Sequence, residues 1–195
     1  MRRGDIIQTE PRQDLYLGSL IKAFTSYSKN AYDLGNFHPT HCMIVLNDKE
    51  VYTAEGEGMT VKPFQLWLDW GFKYRIYRPT VSNEVMETAL AHTLESIHRP
   101  YAWWQYEVHF RKFIRETFNV FKRLANWKYW KVKDTKKMRA FFTKDEVCTE
   151  SVYRYMKYMG MPQSNDFDES SINNCEIEAI LMSNKSNYTL VKENL

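Results

Sequence analysis

The sequence predicts an α+β fold in which a small antiparallel curled sheet packs against helices. Three observations carry this expectation. Short apolar or alternating segments, punctuated by Gly, Pro, Asn and Asp, crowd the stretch from residue 41 to 79. Segments with apolar residues near a 3.6 period stand before, between and after them. The chain has 195 residues, of which 44% are hydrophobic and 15% aromatic, enough for one domain with a core of its own.

In order, Gly4 to Gln8 reads as a short strand with Ile6 and Ile7 buried. Asp14 to about Ser28 reads as a helix, with Leu15, Leu17, Leu20, Ile21 and Phe24 on one face and Asp14 as its cap. A polar loop follows to Thr40. His41 to Leu46 is a strand, Asn47-Asp48 a turn, and Val51 to Ala54 the return strand of a hairpin. Gly56-Glu57-Gly58 breaks it. Met59 to Lys62 is a further short strand, and Pro63 suits the first position of a helical turn buried by Phe64, Leu66, Trp67 and Leu68. Lys73 to Arg78 alternates as a strand closed by Pro79.

Ser82 is a good cap for a helix to about His98, with Val85, Met86, Ala89, Leu90, Leu94 and Ile97 on its apolar face. Arg99-Pro100-Tyr101 ends it. A second helix is expected from Tyr106 to Ala125, and Asn126 to Thr143 is basic, aromatic and unpatterned. A short helical pattern then begins at about Val147 and stops at Gly160. A last helix from Ser170 or Ser171 to Met182 and a last strand from Tyr188 to Val191 complete the chain.

Cys148 opens the helix that begins at Val147. A thiolate, not a thiol, is the nucleophile, and the amides and macrodipole of a helix N-terminus favour negative charge there. The same amides can hold an oxyanion during acyl transfer. His41 opens an apolar strand, which places its ring near a sheet end, and a histidine is the usual group to take and return the nucleophile's proton. Cys42 lies within the same apolar strand and reads as core. Cys175 lies on a late helix and reads as structural. Three cysteines at unrelated spacings are not a disulfide framework, which points to a reducing compartment. His38 and His41 could suggest a metal pair, but Cys or carboxylate ligands at matching spacing are missing, so no metal is expected. His92, His98 and His109 fall in helical patterns.

Several segments, in this order, resemble a known family. They are Gly4-Asp5-Ile6-Ile7, Thr40-His41-Cys42-Met43-Ile44-Val45, Val51-Tyr52-Thr53-Ala54 with Gly58, and Val61-Lys62-Pro63-Phe64. Tyr77-Arg78-Pro79, Arg99-Pro100-Tyr101-Ala102-Trp103 and Val147-Cys148-Thr149-Glu150 follow. The set resembles the circularly permuted branch of the NlpC-type papain-like cysteine hydrolase superfamily, the branch that includes the lecithin retinol acyltransferase-like enzymes. The histidine strand precedes the cysteine helix, as the permutation requires. The resemblance implies a single permuted papain-like domain over residues 1–195, with an insertion at about 106–144. It implies Cys148 as nucleophile, His41 as general base and Tyr101 as a residue lining the site near the oxyanion. Members usually carry Glu or His where this chain has Thr53. Glu55, on the same strand face, is the favoured orienting residue for His41; the Thr53 hydroxyl and the remoter Glu57 are the alternatives.

The implied chemistry is thiolate attack on a carbonyl and an acyl-enzyme, with no metal or organic cofactor. The first expectation is a cysteine peptidase or amidase cleaving an amide bond, with a bacterial or phage cell-wall peptide as a candidate substrate. Alternatives are a lipid acyltransferase or esterase of the same fold, and a catalytically degenerate binding or structural protein of viral or phage type. The stretch 109–144 carries many Lys and Arg against Glu116 and Asp134, with Trp127, Tyr129 and Trp130 interleaved. Such a stretch suits an anionic polymer or membrane surface near the site; nucleic acid is not expected as partner. The N-terminus lacks the apolar run of a secretory signal. No segment reaches the ~20 apolar residues of a bilayer span. A cytoplasmic or virion-associated protein is therefore expected.

Overall fold

The computed structural model describes residues 1–11, 16–101, 114, 147–161 and 172–195. The expected helix at 106–125, the basic stretch at 109–144, the Asp14 cap and the Ser170-Ser171 helix start lie outside them.

Six strands form one antiparallel sheet: β1 (Ile6–Glu10), β2 (His41–Val45), β3 (Glu50–Glu55), β4 (Gly58–Pro63), β5 (Lys73–Pro79) and β6 (Tyr188–Asn194), in the order β4-β3-β2-β1-β5-β6. The sheet is open, with β4 and β6 at its edges. The helices are α1 (Tyr16–Ala31), α2 (Gln65–Asp69), α3 (Asn83–Leu94), α4 (Cys148–Tyr158) and α5 (Asn174–Ser183). The α+β class stands. Among the described residues no helix is long and apolar enough to cross a membrane.

Strand alternation sorts the core into two sides. Ile6, Cys42, Ile44, Tyr52, Ala54 and Tyr77 share one cluster with Ala89 and Leu90 of α3, Val152 and Met156 of α4, and Ile177 and Leu181 of α5. Ile7, Met43, Val45, Val51, Tyr74 and Ile76 form the other with Phe64 and with Trp67 of α2. Ring contacts set α2 in place: Phe64 lies edge-on to Tyr74 at 5.7 Å and stacks with Trp67 at 6.4 Å.

Two boundaries differ from the periodicity for clear reasons. The apolar pattern of α3 continues to His98, but the helix ends at Leu94. The chain leaves it to bind the edge of β4: the His98 amide donates to the Met59 carbonyl, and the Met59 amide to the Arg99 carbonyl, both at 2.9 Å. His98 adopts a positive φ of 70° to make that turn. Pro63 closes β4 instead of opening α2, because the ladder to Glu50 extends that far.

At α5, the cap is Asn173. Its side chain accepts from the Glu176 amide at 3.0 Å, and Glu176 accepts from the Asn173 amide at 2.9 Å. That is a capping box.

Candidate functional site

The site begins where β2 and β3 part. The two strands pair at their hairpin end, Ile44↔Tyr52 and Val45↔Val51. Beyond it each keeps its outer partner: β2 stays on β1 through Thr9↔His41, and β3 stays on β4 through Glu55↔Gly58. The first residues of β2 and the last of β3 therefore face each other across an opening in the sheet.

His41 spans this opening. Its Nε2 lies 2.6 Å from Thr53 Oγ1 and 3.5 Å from Glu55 Oε1. Thr53 is thus the closer of the two candidate orienting residues. Its hydroxyl is buried, whereas the Glu55 side chain is 36% exposed. Trp67 stacks on the imidazole, with rings 6.1 Å apart and 11° from parallel. The indole thus lies over one face of the ring. Glu57 instead meets Lys62 as an ion pair.

Cys148 reaches the same place from the other element. Val147 is extended at the helix cap, and its carbonyl accepts from the Ser151 amide at 3.1 Å. Cys148 is thus the first helical residue, at the end where amides lack intrahelical acceptors. Helix α4 packs on β2. Cys148 is buried, with 5% of its surface exposed. Its sulfur responds to both His41 and Cys42.

The charges follow from these neighbours. A hydrogen bond from the Cys42 thiol is the largest influence on Cys148 and favours its thiolate. Burial works against the thiolate, but Cys42 and the His41 ring together outweigh it, and Cys148 falls well below its ordinary value. For His41, burial alone would lower the imidazole, yet the Cys148 sulfur, with Glu55 behind it, raises it to about 9. Burial and the neighbouring Cys148 push the Cys42 thiol well up, so it keeps its proton. Burial raises the Glu55 carboxyl too, assisted by Cys148 and Glu57 and opposed by His41 and Lys62. Both shifts run towards a charged sulfur beside a charged ring.

Tyr101 approaches from the edge of β4. The contact of His98 and Arg99 with Met59 brings the chain past Gly58, which is opposite Glu55. Gly58 has φ 117°, and a Cβ there would stand 2.2 Å from the Arg99 carbonyl oxygen. No larger residue fits this close approach. Tyr101 is half-buried and packs against the core cluster that contains Cys148.

The remaining candidates have separate surroundings. His38 contacts Thr25 Oγ1 at 2.8 Å, and its amide donates to Glu10 at 2.9 Å. Burial, then Lys29, lower its imidazole to about 4. Cys175 is buried in α5, and burial pushes its thiol up to about 12. The structure thus brings Cys148, His41, Thr53 and Glu55 together and leaves His38 and Cys175 apart.

Two neighbours escaped the sequence reading. Cys42 is core, as expected, but it also meets the Cys148 sulfur. Its place directly after His41 was the available signal. Trp67 is core as well, and only the packing of α2 reveals that its face meets His41. No family model, no curated protein and no solved structure matches the chain.

Proposed function

We propose that this protein is a cysteine-dependent hydrolase of permuted papain-like type, which cleaves an amide bond through an acyl-enzyme on Cys148. The observation that carries the reading is the pairing of Cys148, depressed at a helix N-terminus, with His41, whose Nε2 is held by Thr53. In this reading Nε2 faces Thr53 and Glu55, so Nδ1 serves the sulfur.

The Cys148 thiolate attacks the substrate carbonyl. The oxygen takes up the negative charge near the first amides of α4, where preorganised donors cost no reorganisation. The His41 imidazolium gives its proton to the leaving nitrogen as the carbon–nitrogen bond breaks. It then takes a proton from water, which attacks the thioester and releases the acid. Thr53 and Glu55 keep the ring oriented, Thr53 by its short hydrogen bond and Glu55 by charge. Tyr101 borders the oxyanion side.

A second reading, acyl transfer from a lipid ester, draws support from the basic-aromatic composition of residues 109–144. It uses the same thioester with another acceptor.

Incubation with short murein peptides and, separately, with short-chain acyl esters, followed by intact mass measurement, tests both. A Cys148→Ala-sensitive acyl adduct with peptide turnover supports the amidase. An adduct and turnover with esters alone supports acyl transfer. No adduct from either, with Cys148 alkylated by iodoacetamide no faster than Cys42 or Cys175, overturns catalysis.

A further inference from the structure

The inner face of α5 carries polar groups that side-chain and backbone partners leave unmet. Glu178 is wholly buried there. Arg75 Nη1 donates to its Oε1 at 2.8 Å, and the Tyr77 hydroxyl donates to the same oxygen at 2.5 Å. Its Oε2 meets no donor among the described residues. Asn174 stands one turn earlier on the same helix face. It too is buried, and its Oδ1 has no donor either.

Gln8 meets this face from the sheet. It alternates with Ile6, which packs in the cluster that holds Ile177 and Leu181 of α5. Across the strands Gln8 is paired with Arg75, the residue that holds Glu178. Opposite residues of an antiparallel pair have Cβ atoms about 5 Å apart, so the two side chains are neighbours. Gln8 is wholly buried, and neither its Oε1 nor its Nε2 has a partner. Exchanging the two ends of the amide cures nothing, because both are unmet. Buried polar atoms left so are costly, and ordered water is the usual remedy.

We propose that Gln8, Asn174 and Glu178 bind internal water between β1 and α5. The charges select a neutral occupant. A cation would face the Arg75 guanidinium, which already answers the Glu178 carboxylate. An anion would face the oxygens of Glu178 and Asn174. Glu193, 3.4 Å from Arg75 Nε, is half exposed and solvated from outside. The unmet atoms include a donor as well as acceptors, and water serves both. It accepts from Gln8 Nε2 and donates to Glu178 Oε2 and Asn174 Oδ1, which gives it the about three partners usual for a buried water. A second water on the first supplies the donor for Gln8 Oε1. The site takes no part in the chemistry proposed at Cys148. It links β1, whose Thr9 is paired with His41, to α5 through hydrogen bonds that Gln8 does not make directly.

The test uses the full chain and no ligand but the solvent. Diffraction from wild-type crystals should show water oxygens within hydrogen-bond distance of Gln8, Asn174 and Glu178. In solution, the Gln8 side-chain amide protons should give a cross-peak to water with the sign of a long-lived neighbour. Gln8→Met keeps the side-chain length and removes both amide atoms, and it should lose the water that Nε2 holds. A direct hydrogen bond from Gln8 to Glu178, with no water between them, overturns the proposal. So does density too heavy for oxygen, which would place an ion there. Water that survives Gln8→Met in the same place overturns the role of Gln8. The wild-type density and spectrum decide the matter even if Gln8→Met fails to fold.

Discussion

His38 and His41 stand three residues apart, both out of bulk water, and hold their protons in opposite ways. Burial, with Lys29 adding to it, lowers His38 to about 4. Burial also disfavours charge on His41, yet the Cys148 sulfur and Glu55 reverse it and raise the ring to about 9. His38 has a hydroxyl and two lysines around it, besides the single carboxylate of Glu10. His41 has a thiolate and a carboxylate. Enclosure therefore does not decide a histidine's charge; the sign of what is enclosed with it does.

The comparison can be broken most severely at Cys148. Cys148→Ala should remove the low-pH alkylation and all turnover, and should bring the His41 titration down towards its ordinary 6.5 in a histidine proton NMR titration. A His41 that still titrates near 9 in that variant would show that Glu55 alone holds the charge.

His41→Ala comes next. One unit of thiol pKa is worth about 1.4 kcal/mol, or roughly tenfold in thiolate at a pH below it. Labelling of Cys148 at about pH 6 should fall by at least ~10-fold. His38→Gln should leave it unchanged, and a comparable loss there would erase the distinction between the two rings.

The pH profile follows with its sign. The folded pKa of His41 is raised from 6.5 to about 9, so the imidazolium persists at neutral pH and is lost as pH rises through about 9. Turnover should therefore fall on the alkaline side near 9, as the leaving nitrogen loses its proton donor. The stability drawn from the raised ring is present below 6.5 and lost over the same rise. The acid limb should fall well below the ordinary thiol value of 9.0, where the Cys148 thiolate takes up a proton.

Between the two orienting candidates the effects should be smaller and distinct. Thr53→Val leaves Nε2 facing a methyl and should cost about 1–3 kcal/mol in kcat/KM, with the alkaline limb little moved. Glu55→Gln keeps the shape but removes a charge that raises His41, so the limb should shift to lower pH. If Glu55→Gln proves the costlier of the two, with Thr53→Val near wild type, the carboxylate is the main orienting group.

Much of this was legible in the residues. Short apolar runs and the alternating segment Lys73 to Arg78, punctuated by Gly, Pro, Asn and Asp, specified the strands from residue 41 to 79. The start of α4 at Val147 was legible too, and with it Cys148 at the helix end. The end of α3 was not. Its apolar period runs on, and only the unpaired edge of β4 draws His98 and Arg99 out of the helix. Periodicity reports which face is buried, not which backbone partner competes for the chain.

For the site the division is sharper. The sequence by itself put a cysteine at a helix N-terminus, a histidine at a strand end, and Thr53 and Glu55 on one face of the next strand. It favoured Glu55 over Thr53, although both satisfy the same period of two. Tertiary structure puts the hydroxyl nearer: where β2 and β3 separate, Nε2 rests 2.6 Å from the hydroxyl and 3.5 Å from the carboxylate. It also decided that Cys42 shares a core cluster with Cys148 and that Trp67 stacks on the His41 ring. These depend on how α4 and α2 lie against the sheet, and no spacing along the chain encodes a contact between elements that far apart.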